Sequence, residues 1–180
     1  MKKGFTMIEL IFVIVILGIL ASVAIPRLAS TREDAEISAL VANIRTLISD
    51  AASYYAVKGE FAGAKWSDIT NVPVRTGGRK PASDSQVTGG ADGGAVYLTT
   101  GDTNCILVRL RDKGGTGTPV AFIQIAKVVQ NVDTPICKEI LKAAPIKAYL
   151  DLTVPGVLGE DGTNIRPGTI ALGSNISIHE

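Results

Sequence analysis

The sequence predicts an α+β chain: one long N-terminal α-helix laid on a small antiparallel sheet. Three observations predict it. No charge occurs in the 17 residues between Glu9 and Arg27. A helical apolar stripe then continues through residues 27–58. Beyond it, 17 of the 19 glycines fall at or after Gly59, and β-rich runs replace the helical pattern. At 180 residues there is room for about one domain besides the N-terminal segment.

The first element reads MKKGFTMIELIFVIVILGILASVAIPR. Leu10 to Ile25 is apolar apart from Gly18 and Ser22. With Phe5, Met7 and Ile8 it approaches the ~20 residues that cross a bilayer as a helix. Lys2 and Lys3 precede it, so the positive-inside rule places the first residues in the cytoplasm and the C-terminal bulk outside. A removed secretory signal is the plain alternative, with small residues at Ser22 and Ala24. Two features oppose it. Glu9 sits just inside the apolar run, where a carboxylate costs up to ~2.5–3.5 kcal/mol at mid-bilayer. The helical pattern also resumes past Pro26.

Lys-Gly, then Phe5-Thr6-Met7-Ile8-Glu9-Leu10, then an apolar helix ending Ala24-Ile25-Pro26, resembles the class III signal of type IV pilins and type II secretion pseudopilins. The resemblance is dense over about 30 residues and continues by pattern alone for the next 30. It implies a pilin-like fold and cleavage by a prepilin peptidase between Gly4 and Phe5. Residues 1–4 are then a leader, and Phe5 becomes the N-methylated first residue. It also implies that Glu9 serves assembly. The residues supply a physical account of that role. Cleavage creates an α-amine at Phe5, one helical turn from Glu9. In a bundle of such helices, Glu9 of one subunit pairs with the Phe5 amine of a neighbour, so that a wrong register leaves a charge unpaired. The plain alternative is pairing within one chain, worth a few tenths of a kcal/mol.

Residues 5–26 are thus expected to form the transmembrane and assembly helix, with Gly18 and Pro26 as kink sites. Residues 27–58 are expected to form its amphipathic half. Ile37, Leu40, Val41, Ile44, Leu47, Ile48, Ala51, Tyr54 and Tyr55 recur at spacings of three and four. Gly59 reads as the C-cap. Residues 59–94 read as a Gly-rich loop region, with a turn at Trp66–Ile69 folding back on the helix. A connection this long is usually functional or partly disordered.

Residues 95–180 are expected to form a β-rich head. Strands are predicted at 95–100, 104–111 and 119–129, with a Gly-rich hairpin loop at 112–118. Asp133-Thr134-Pro135 reads as an N-cap and Pro at N1, opening a short helix at 135–143 that Pro145 ends or shifts. A last strand or tail covers 169–178. An oxidising compartment and an even count point to a Cys105–Cys137 disulfide. Buried free thiols are the alternative. Many type IV pilins carry a second Cys near the C-terminus, whereas 43 residues follow Cys137 here. That departure leans toward a pseudopilin or minor pilin.

Composition excludes several chemistries. Lys+Arg number 18 and Asp+Glu 17, which gives nucleic acid no bulk attraction. Losing Lys2 and Lys3 leaves 16 against 17. Two cysteines exclude a Cys₄ zinc site, and one histidine, His179, leaves little for His-based catalysis. No P-loop or GxSxG elbow is present. The reading is therefore a structural subunit, not an enzyme, with no cofactor. Calcium is the one weighed exception. Asp151, Glu160, Asp161 and Asn164 offer oxygen ligands in a Gly-rich segment, without EF-hand spacing. Major type II pseudopilins carry a calcium site in a C-terminal loop. The expected partners are a homo- or hetero-polymer of pilin-like subunits, the prepilin peptidase, the membrane and assembly platform proteins. The alternative is a minor pilin that binds DNA or a surface, for which Arg75, Arg79 and Lys80 form a basic loop.

Overall fold

The computed structural model describes residues 6–77, 80–87, 94–100, 102–112, 120–158 and 165–172. Helix α1 spans Met7–Lys58, and its assignment is unbroken at Gly18 and Pro26. It ends at Gly59, whose φ of 78° is the left-handed conformation glycine adopts without penalty. The Gly59 N–H donates to the Tyr55 carbonyl at 2.8 Å. Residues up to Ser38 and those from Ala39 onward form two compact units.

Within the second unit, one stripe of α1 faces the core. Leu40, Val41, Ile44, Leu47 and Ala51 are buried, while Ile37, Ile48, Tyr54 and Tyr55 are half-buried. The 3.6-residue period of the sequence selects that stripe.

The head is built on a four-stranded antiparallel sheet in the order β1-β2-β3-β6. The strands are β1 (Val96–Thr100), β2 (Thr103–Arg111), β3 (Ala121–Lys127) and β6 (Thr169–Leu172). Val108 pairs with Val96 and Ile125, and Leu110 pairs with Ile123. Pleating puts Ile106, Val108 and Leu110 on one face and Cys105 on the other. The short helix α3 (Pro135–Lys142) lies against β2, and α4 (Ala144–Asp151) lies against β3. Cys105 and Cys137 are bonded, with 5.3 Å between their Cα atoms, which fixes α3 to the Cys105 face. Both cysteines are buried. The Ile106–Leu110 face is left for α1. The result is an α+β, pilin-like fold.

Several expectations need correction. The described residues 59–77 and 80–87 are mostly irregular, yet they are packed into the core. They contain the short helix α2 (Trp66–Ile69) and bury Phe61, Ala64, Trp66, Ile69, Val72, Val74, Ala82 and Val87. Backbone bonds hold them without regular strands: Trp66 N–H donates to Ser85 O and Ala82 N–H to Val74 O. Spaced single apolar residues among glycines hide this layer from a search for periodicity. Asp112 clasps the turn after α1, accepting from Phe61 N–H at 2.7 Å and Ala62 N–H at 3.0 Å. Burial, and then the Asp112 charge, raise the Tyr55 phenol above its ordinary value.

Pro145 does not merely end α3. It stands in the first turn of α4, where the missing N–H costs no hydrogen bond. The N-cap of α3 is Thr134, followed by Pro135 at the first helical position, as the Asp133-Thr134-Pro135 run predicts. A two-stranded sheet, β4 (Thr153–Leu158) and β5 (Ile165–Pro167), was not legible, because Pro155, Gly156 and Pro167 break any strand signature. Gly168 (φ 70°) turns β5 into β6, and its carbonyl accepts from Ile125 N–H at 2.7 Å. Strand β6 covers the Thr169–Leu172 part of the strand or tail expected over 169–178, and 173–178 lie outside the described residues. So do residues 113–118 of the expected hairpin loop and residue 119 of the expected strand.

Candidate functional site

The N-terminal half of α1 has an unusual surface for a helix. From Met7 to Ile25 it presents 14 large apolar side chains, each between 41% and 79% exposed. Leaving one such side chain in water forgoes roughly 1.5–3 kcal/mol. Fourteen together forgo roughly 20–40 kcal/mol, more than the ~5–15 kcal/mol that stabilises a typical domain. The segment therefore needs an apolar environment. The 19 residues Met7–Ile25 are long and apolar enough to cross a membrane.

Glu9 is the one ionised side chain in that span. The structure places it in a reciprocal cap with Thr6. Thr6 N–H donates to Glu9 Oε2 at 2.9 Å, and Thr6 Oγ1 donates to the same oxygen at 2.6 Å. Glu9 N–H donates back to Thr6 Oγ1 at 3.4 Å. The Thr6 carbonyl accepts from Leu10 N–H at 3.3 Å, the first bond of the helix. This is a capping box, in which two orphan N–H groups and one carboxylate satisfy each other. The carboxylate also lies at the positive end of the helix dipole. Sequence reasoning assigned Glu9 but missed Thr6, although Thr6-Met7-Ile8-Glu9 has the T-x-x-E signature.

Gly4 and Phe5 lie outside the described residues. Gly18 lies within α1, and an added Cβ there would meet nothing within 4 Å. Ser22 Oγ donates to the Ile19 carbonyl at 2.7 Å, so the one hydroxyl in the apolar run is satisfied by its own helix.

The other weighed residues are scattered. Asp151 is exposed at the end of α4, and Glu160, Asp161 and Asn164 lie outside the described residues. Among the described residues no group of three or more His, Cys, Asp or Glu side chains comes together. In the basic loop, Arg79 lies outside the described residues. Arg75 is held by two backbone bonds to Tyr97 and lies 3.9 Å from Asp102.

The chain carries the prokaryotic N-terminal methylation motif, matched over residues 1–25. That motif is the family signal of type IV pilins and pseudopilins, and it marks a pilin-like precursor processed by a prepilin peptidase. Comparison with curated proteins and with solved structures finds no match. The motif covers residues 1–25, which include the apolar half of α1, and the head stands outside it.

Proposed function

We propose that this chain is a structural subunit of a type II secretion pseudopilus or a type IV pilus-like filament. It enters the inner membrane once, with the head on the periplasmic side. The peptidase cuts between Gly4 and Phe5, Phe5 is N-methylated, and the subunit leaves lipid for a bundle of like helices. The observation that carries this reading is the apolar half-helix, exposed on every side, that begins with a capped carboxylate inside a methylation motif.

The energetics favour retention of that helix. Lipid and helix bundle are both apolar, so transfer between them has little hydrophobic driving force. Close packing and the Glu9 carboxylate must then supply the preference. The capping box lets Glu9 enter the membrane with two donors on one oxygen. Once cleaved, the Phe5 amine of a neighbour is the charge that completes its pairing.

The test is to express the full chain with its peptidase and assembly machinery, shear the cells, and label filaments with antibody to the head. Labelled filaments are expected, and Glu9→Ala is expected to abolish them. A chain found only as a monomeric membrane protein, or only as a released head, would overturn the reading.

A further inference from the structure

Two features of the head remain unexplained by its own packing. The first is a groove of about 610 Å³ between the last turns of α1 and helix α2, bordered by Asp50, Tyr54, Val57, Asp68 and Ile69. Lys58 also reaches it. Its rim residue Val57 is 81% exposed. The second is the corner after β3, where Val129 is 70% exposed beside the exposed Lys127. Outside the N-terminal span, Val57 and Val129 are the two most exposed large apolar residues among the described ones.

The chemistry of the two features is complementary. The groove joins apolar side chains to two carboxylates and the single ammonium of Lys58, so its lining is net negative. The corner joins an apolar side chain to an ammonium. Each carboxylate is already oriented: Asp50 Oδ2 accepts from Thr70 Oγ1 at 2.6 Å, and Asp68 Oδ2 accepts from Lys65 N–H at 3.2 Å. The corner is held as firmly. Val128 N–H donates to Cys105 O at 3.1 Å, and Asn131 Nδ2 donates to Asn104 O at 2.8 Å.

Their placement is also informative. Lys127 pairs with Ile106 near the start of β2. The groove lies by the other end, since Tyr54 stacks at 6.1 Å on Phe61, whose N–H is held by Asp112 just past β2. Six residues of strand separate Ile106 from Asp112, about 20 Å. One chain thus carries complementary patches at opposite ends of one ladder. Such a surface makes a head-to-tail contact that propagates, where a self-complementary patch would close into a dimer.

We propose that in the assembled filament the Lys127–Val129 corner of one copy seats in the Asp50–Asp68 groove of the next. Val129 covers Val57, and the Lys127 ammonium meets the carboxylates. This rests on the assembly reading above, and names the contact between heads.

The test uses the full chain in assembling cells. Val57→Cys and Val129→Cys are made singly and together, and a short bis-maleimide is added. The native cysteines are disulfide-bonded and do not react. The double variant is expected to give a ladder of cross-linked chains, and each single variant none. Val57→Lys, at an exposed site that leaves the fold intact, sets a like charge against Lys127. Probed from Ser53→Cys, which also borders the groove, to Val129→Cys, it should cut cross-linking about tenfold, and Lys127→Glu should restore it. Filaments without the ladder, cross-linked dimers from a single variant, or an undiminished yield in Val57→Lys would overturn the contact while leaving the assembly reading intact. Absence of filaments from the parent chain would overturn both.

Discussion

The two halves of α1 differ both in how much apolar residue they carry and in how they bury it: 16 of the 19 residues Met7–Ile25 are apolar, against 13 of the 20 residues Ala39–Lys58. Between Ala39 and Lys58 one stripe is buried and the other face is polar or small apart from Val57 in the last turn. Between Met7 and Ile25 the apolar residues run all round the helix and none is buried. The difference teaches that apolar content and its periodicity together decide what a helix packs on. A stripe of 3.6-residue period has one partner face, supplied by the head. A helix apolar on every side needs an apolar surround, supplied by lipid or by other helices.

The strongest way to break that contrast is at Gly168. A Cβ there would lie 1.8 Å from the Ile125 carbonyl oxygen, on a backbone with φ of 70°. Gly168→Ala is expected to cost the head more than ~4 kcal/mol, read as lost protease resistance. Helicity of Met7–Ile25 in detergent should not change. Next in size is a matched truncation. Ile44→Ala removes a residue 1% exposed and should cost ~2–5 kcal/mol in denaturant unfolding of the head. Ile14→Ala, 57% exposed, should leave that midpoint unchanged.

Reduction of Cys105–Cys137 comes third. The bond ties β2 to α3, and its loss is expected to lower head stability by ~2–4 kcal/mol, seen as a lower midpoint with reductant. Cys105→Ser with Cys137→Ser should make the midpoint insensitive to reductant.

The smallest effect concerns pH. The Tyr55 phenol is raised above its ordinary value by burial and then by Asp112. Its unfolded form releases a proton near pH ~10, before the folded form does. Stability from this group is therefore constant below that pH and falls as pH rises through it. From pH 9 to 11 the parent chain should lose slightly more stability than Tyr55→Phe. An equal loss in both would remove Tyr55 from the linkage.

What was legible in the sequence follows the same division. The apolar tract, Glu9 and the stripe from Leu40 to Ala51 speak through composition and period, which one sequence displays. The motif at Gly4–Phe5 speaks through fixed spacing. The layer around Phe61 and Trp66 was hidden, because its apolar residues stand singly between turns. Asp112 was hidden too: a carboxylate after a strand gives no sign that it holds backbone N–H groups about 50 residues away. Thr6 was legible too, since a hydroxyl three residues before a carboxylate at a helix start is the pattern of a capping box. The second helix after Pro145 was lost to treating proline as a stop, when at a first turn it is a start.

The central claim is that the apolar half of α1 stays on the mature chain and becomes its polymerisation surface. Mass spectrometry of the chain recovered from sheared filaments tests it most directly. A mature N-terminus at methylated Phe5, with Glu9 and the apolar tract retained, is the predicted result. A chain beginning at Ile25, cut after the small residues Ser22 and Ala24, would contradict it.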